Sequence, residues 1–254
     1  MSPRLSPAQN AAASVGPGSA KEHRTVSRVT AILEMVAGVG QGVRLNDLAG
    51  MLEAPKSSVH GLVRGLVATG YLVEGDGVYL LGPAVEALIK PSRSVLAEAA
   101  RPAMKHVERT FGETVALCSL VGQSVVYVEL VESAQPIRYS APLWERRPLY
   151  PTSAGKCFLA HFSEESLTSY LETFETHRRE AIRQELADVR RDGVAYNVGE
   201  TVQNVAAVAS PILVRGLPAA CINIAGPMDR FSGRLTEAAA VLRSATSLVA
   251  ENLA

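Results

Sequence analysis

The 254-residue sequence predicts an α+β fold in which a winged helix-turn-helix leads, through a linker helix, into a larger domain of antiparallel strands and helices. Three observations predict it. Apolar residues recur at three- and four-residue spacing over residues 26–66, and two strand-like runs around Glu74-Gly75-Asp76-Gly77 follow at once. Past residue 112, strand-like runs meet at short turns such as Gly122-Gln123 and Arg215-Gly216, with helical stretches between them, which is the order of an antiparallel sheet and not of a doubly wound one. Residues 1–22 have almost no large apolar side chains and are rich in Ala, Ser, Pro and Gly, so they are expected to form a disordered tail. The predicted divisions are a tail over 1–22, a winged helix-turn-helix domain over 23–83, a linker helix over 84–111 and a second domain over 112–254.

The first helix shows one face in Val26, Val29, Ile32, Leu33 and Val36, and Gly38, Gly40 and Gly42 stop it. Leu45, Leu48, Ala49 and Leu52 make a short second helix, and Glu53-Ala54-Pro55 a turn. Pro55 has no N–H to satisfy, so it suits the start of a third helix running to about Thr69. That helix buries Val59, Leu62, Val63 and Leu66. Residues 71–73 and 78–80 read as the two strands of a hairpin. Residues 83–111 look helical again, with interruptions expected near Pro91 and Pro102. In the second domain, strands are expected at 114–121, 124–132, 136–141, 205–214 and 219–225, and helices at 152–162, 164–174, 178–192 and 230–252.

Charge and cysteine content exclude several functions. Lys plus Arg equals 25 and Asp plus Glu equals 25. Within residues 21–90 the seven bases Lys21, Arg24, Arg28, Arg44, Lys56, Arg64 and Lys90 balance the seven acids Glu22, Glu34, Asp47, Glu53, Glu74, Asp76 and Glu86. Any nucleic-acid contact therefore rests on a local patch, and non-specific affinity should be weak. Cys118, Cys157 and Cys221 are far apart in sequence with no CxxC pair, which leaves no disulfide framework and no typical zinc site. No metal or cofactor is expected. With no apolar run long enough for a membrane span and no signal core, the expected location is the cytoplasm.

The outer face of the third helix is the most specific feature. Lys56, Ser57, Ser58, His60 and Arg64 carry donors that can meet phosphates or base edges of double-stranded DNA. Arg44 and the wing-tip residues Gly75 and Gly77 complete the predicted DNA-binding set, although Asp76 there repels phosphate. The plain alternative is a set of ordinary solvated positions. Residues 148–156, Pro-Leu-Tyr-Pro-Thr-Ser-Ala-Gly-Lys, form a second informative stretch: either a helix start with uncovered N–H groups for an anion, or a capped helix in which Gly155 permits close packing. It is not a P-loop. GxSxG, HExxH and a strand-following GxGxxG are all missing, and the five histidines are scattered. An enzyme using Cys157, with His161 one turn away, and a protein-interaction module are the competing readings.

The chain resembles the IclR family of transcriptional regulators. The resemblance runs from about Thr25 to Leu253 through Leu45-Asn46-Asp47-Leu48-Ala49 and Pro55-Lys56-Ser57-Ser58-Val59-His60. It continues through Arg146-Arg147-Pro148-Leu149, Ser153-Ala154-Gly155-Lys156, Arg191-Asp192-Gly193, Glu200, Ala209-Ser210-Pro211-Ile212 and Gly226-Pro227. It implies an α/β effector-binding second domain, homodimers or homotetramers on palindromic DNA, and a small organic acid or aromatic as effector. It also implies an effector site of Ile137, Ser140, Ser153, Ala154, Gly155, Asn197, Ala207, Asn223 and Ala225. Asn197 stands where better-known members carry an aspartate, Ala207 where they carry a cysteine, and Asn223 and Ala225 where they carry serines. Buried amides need partners, so the expected ligand offers a donor and an acceptor and is a larger, partly aromatic acid.

Overall fold

The computed structural model describes residues 23–88 and 95–253. They divide into two compact units at about residue 93. The expected tail over 1–22 and the expected break at Pro91 lie outside the described residues.

The first unit contains α1 (Arg24–Gly38), α2 (Leu45–Met51), α3 (Lys56–Ala68), β1 (Leu72–Gly75), β2 (Val78–Leu81) and α4 (Pro83–Leu88). Ile32, Val36, Leu48, Val59, Val63, Leu66, Leu72 and Tyr79 form its core, so the apolar stripes read from the sequence face one another. The α2–α3 turn is a Schellman closure. Ala54 N–H reaches Ala49 O at 3.1 Å and Glu53 N–H reaches Gly50 O at 3.1 Å, with Glu53 in the left-handed region at φ 46°. β1 and β2 pair antiparallel from Leu72↔Leu81 to Gly75↔Val78. Asp76 and Gly77 both have positive φ (52° and 74°), the primed turn whose twist matches a hairpin.

The second unit contains α5 (Val95–Phe111), β3 (Thr114–Val121), β4 (Ser124–Val131), β5 (Arg146–Pro148), α6 (Ser153–Leu159), α7 (Glu164–Leu171) and α8 (Thr176–Asp192). β6 (Ala195–Val198), β7 (Val205–Val214), β8 (Leu217–Pro227), α9 (Met228–Phe231) and α10 (Leu235–Glu251) complete it. Its sheet is antiparallel throughout, in the order β5-β4-β3-β8-β7-β6. Side-chain alternation gives it two faces. Val115, Leu117, Val208, Ile222 and Ile224 pack with Ala100, Met104, Val107 and Phe111 of α5 and Leu242 and Val249 of α10. Ala116, Cys118, Ala195, Ala209 and Cys221 pack on the other face with Cys157, Phe158 and Leu159 of α6 and Ile182 and Leu186 of α8.

The structure corrects two expectations. Residues 136–141 are not a strand, and the edge of β4 is paired instead by β5, with Val125↔Arg147 in register. Pro136 has no N–H for a ladder and Ile137 is 75% exposed, and the run is tied to the sheet by Thr114 Oγ1 donating to Tyr139 O at 2.6 Å instead of by strand pairing. The expected break at Pro102 does not occur: α5 continues through it, held by the buried stripe on both sides. An interior proline costs about 3 kcal/mol, less than burying four large or medium apolar side chains contributes. Of the segment expected as the linker, α4 lies in the first unit and α5 packs on the sheet of the second.

Candidate functional site

In the first unit, α3 presents its donors to solvent. Lys56, Ser57, Ser58, His60 and Arg64 are all exposed, on the side opposite buried Val59, Val63 and Leu66. No side chain caps the α3 N-terminus, which leaves that end suited to an anion. Among the described residues, neither Lys56 nor Arg64 has an ion-pair partner. Arg44 is exposed at the start of α2, and Gly75 and Gly77 are exposed at the wing tip. An open groove lined by Arg24, Ser27 and Arg28 of α1 and by Leu52 was not foreseen. Its signal in the sequence is two arginines one helical turn apart.

The second unit holds a cleft between the sheet and α6. It is lined by Tyr127, Tyr139, Arg147, Thr152, Ser153, Asn197, Thr201, Val202, Val205, Ala207, Asn223 and Ala225. Sheet register explains the grouping: Asn197 pairs with Ala207 and Ala207 with Ala225, placing three of them in one row, and Asn223 is two residues along β8 on the same face. Alanines in that row leave the space. The enclosed volume is about 30 Å³, room for on the order of two waters, so an organic ligand requires a wider cleft.

Of the nine positions implied for an effector, Ser153, Asn197, Ala207, Asn223 and Ala225 line this cleft. Ile137 and Ser140 are exposed and do not line it; their neighbour Tyr139 does. Ala154 and Gly155 are packed behind the lining. A Cβ on Gly155 would fall 1.9 Å from Leu149 O, so glycine there permits close packing. The Gly155 N–H is capped by Thr152 Oγ1 at 3.1 Å, which matches the capped-helix alternative. Arg147, Tyr127, Tyr139, Thr152, Thr201, Val202 and Val205 were missed as lining residues, because only the strand order brings them together.

Most polar atoms of the cleft are already engaged. Ser153 Oγ donates to Asn223 Oδ1 at 2.9 Å, and Asn223 Nδ2 donates to the Tyr127 hydroxyl at 3.4 Å. Burial pushes the Tyr127 phenol well above its ordinary range, so it stays protonated. Asn197 Nδ2 donates to Pro151 O and Thr201 Oγ1, both at 2.7 Å. Beside the cleft, fully buried Lys156 donates to Tyr196 O and Glu200 and pairs with Glu185 at 2.7 Å. The Tyr150 hydroxyl donates to Glu185 Oε2 at 3.0 Å, and burial followed by that carboxylate pushes its pKa up to about 12.

Cys157 is buried, and its thiol donates to Ala209 O at 3.5 Å. His161 Nδ1 meets the backbone oxygen of Cys157 at 2.9 Å, not the sulfur. Cys118 and Cys221 are cross-strand partners in the core, and burial pushes both thiols up. Among the described residues no group of three His, Cys, Asp or Glu side chains could hold a metal ion, and no helix is long and apolar enough to cross a membrane.

Two family models match the sequence: the IclR helix-turn-helix domain over residues 25–76 and the bacterial transcriptional regulator IclR C-terminal domain over residues 91–250. The acetate operon repressor of Salmonella typhimurium is 28% identical over 247 residues, covering 89% of this chain and 88% of its own. A crystal structure of an IclR transcriptional regulator from Silicibacter sp. TM1040 superposes with a TM-score of 0.77 at 25% identity, covering 90% of this chain and 96% of that one. The fold is also that of an IclR homolog from Microbacterium hydrocarbonoxydans complexed with 4-hydroxybenzoate, with a TM-score of 0.72 at 24% identity and coverage of 90% and 98%.

Proposed function

Because this chain belongs to the IclR family of bacterial transcriptional regulators, we propose that it binds a palindromic operator as a dimer or dimer pair and responds to a small organic acid, partly aromatic, held in the cleft of its second unit. The observation that carries the DNA half is the exposed outer face of α3, where Lys56 and Arg64 have no ion pair among the described residues. A dimer would set two such helices on half-sites about 34 Å apart. Ligand binding would widen the cleft, and a change in that unit would alter how the two DNA-binding units are presented. The aromatic acid in the Microbacterium complex supplies a first probe.

Fluorescence anisotropy on DNA from upstream of the gene, with a random duplex as competitor and a salt series, tests the DNA half. Lys56→Ala with Arg64→Ala is expected to weaken specific binding by about 2 kcal/mol or more, roughly 30-fold. Unchanged affinity in the double variant would make α3 a purely structural helix.

A further inference from the structure

Resting on the reading of the cleft as a ligand site, we propose that Arg147 and Asn197 fix the polarity of the ligand. The guanidinium takes an anionic group, and Asn197 Oδ1 accepts a hydrogen from a hydroxyl or amine elsewhere on the same molecule. The two reach the cleft from opposite edge strands of the sheet, β5 and β6. Apolar Val202, Val205, Ala207 and Ala225 lie in the lining with them. The ligand class is therefore a monocarboxylate with a compact apolar body and one hydrogen-bond donor.

Two polar groups of the lining stand out because their neighbours do not satisfy them. Arg147 Nε is buried with no hydrogen-bond partner. Arg147 is also the one charged residue of the lining, and among the described residues it has no ion pair. Its guanidinium lies 4.6 Å from the centroid of the Tyr127 ring. A guanidinium held on a ring in this way keeps in-plane N–H donors for an acceptor. An unpaired N–H on a buried cation costs more than a neutral one, and a carboxylate satisfies two guanidinium N–H groups at once.

Asn197 supplies the opposite polarity. Pro151 O can only accept, so the amide atom facing it is the NH₂ group, and the second hydrogen of that group goes to Thr201 Oγ1. Both donors are used, and Oδ1 has no hydrogen bond among the described residues. Asn197 is 4% exposed, so its free oxygen sits in a setting where a ligand donor competes with little water.

Isothermal titration of wild type and Arg147→Leu with 4-hydroxybenzoate, 4-hydroxybenzamide and 4-methoxybenzoate tests both halves. On wild type, replacing the carboxylate by the neutral amide is expected to weaken binding about tenfold or more, and replacing the hydroxyl by methoxy by a similar factor. On Arg147→Leu the acid–amide difference should vanish while the hydroxyl–methoxy difference remains. Arg147→Lys, which keeps the charge without the fork, should retain part of the acid preference and guards against a folding defect in the leucine variant. Equal binding of acid and amide to wild type, an acid preference surviving in Arg147→Leu, or no binding of any probe at millimolar concentration would overturn the assignment to Arg147. Equal binding of hydroxyl and methoxy acids would overturn that to Asn197. Upstream-DNA binding of ligand-free wild type, measured in parallel, separates failure of the regulator reading from failure of this one.

Discussion

The two units differ in how many of their cations pair within the chain: several in the second and, among the described residues, none of the five DNA-binding-face and α1 cations in the first. In the second unit, several cations pair within the chain: Lys156 with Glu185 and Glu200, Arg230 with Glu113, Arg183 with Glu164, Arg234 with Glu237, Arg191 with Asp188 and Asp192, Arg101 with Glu129 and Arg138 with Glu132. In the first, Arg24, Arg28, Arg44, Lys56 and Arg64 have no ion pair among the described residues. A net charge of zero conceals this difference, because it counts the acids without asking whether they sit beside the bases. What marks a surface for an external anion is a cation with no internal partner. Among the described residues, Arg147 differs from the other cations of the second unit that have no ion pair in that it lines the cleft with its Nε buried and without a hydrogen bond.

Removing a paired cation should therefore damage the fold. Lys156 has a side chain 1% exposed, against 37% for Glu185 and 38% for Glu200. Lys156→Ala leaves two carboxylates facing each other at the edge of a buried site, and the expected loss of stability is about 3 kcal/mol in thermal or urea unfolding. Lys156→Met with Glu185→Gln and Glu200→Gln should recover most of it, because no uncompensated charge remains. If Lys156→Ala unfolds within about 0.5 kcal/mol of wild type, a range typical of surface substitutions, the pairing is incidental and the contrast between the units loses its basis.

How much of this was legible in the sequence follows from the range of the interactions. The first unit is local: the stripes of α1, α2 and α3, the Pro55 start and the Asp76-Gly77 turn depend on residues a few positions apart, and the motif read from them is the one the structure has. The second unit is governed by pairing across long separations. Nothing in residues 136–141 reveals that 146–148 will occupy the edge of β4, and the four-residue β6 is too short to show alternation. The cleft shows the same division. The family resemblance implies Asn197, Ala207, Asn223 and Ala225, whereas Arg147 joins the lining only because β5 pairs with the edge of β4.

The first unit's unpaired cations lead to an effect on DNA binding and not on stability. If Arg24 and Arg28 in the α1 groove each meet a phosphate, Arg24→Ala with Arg28→Ala reduces the slope of log affinity against log salt by about 1.8, at roughly 0.9 per phosphate. Specific and random duplexes should weaken by similar factors, since phosphate contacts position the protein and base contacts specify the sequence. A slope unchanged in the double variant would assign the groove no phosphate. A fall in the specificity ratio would move these arginines from the backbone to the bases.

The smallest effect comes from a charge that the second unit excludes at neutral pH and acquires in acid. His161 is partly buried; burial lowers its pKa below the usual 6.5 and the charge of Arg190 lowers it further, while the hydrogen bond to the Cys157 backbone oxygen opposes both. Because the folded value is depressed, the unfolded chain takes up this proton first as pH falls through 6.5. The stability contributed by neutral His161 is therefore complete above that pH and is lost below it until the folded group also titrates. Urea midpoints of wild type should decline as pH falls below 6.5, and His161→Gln, which cannot take the proton, should flatten that part of the profile. Parallel profiles for the two proteins would show that a second cation beside Arg190 is tolerated, and that this unit excludes unpaired charge less strictly than its ion pairs suggest.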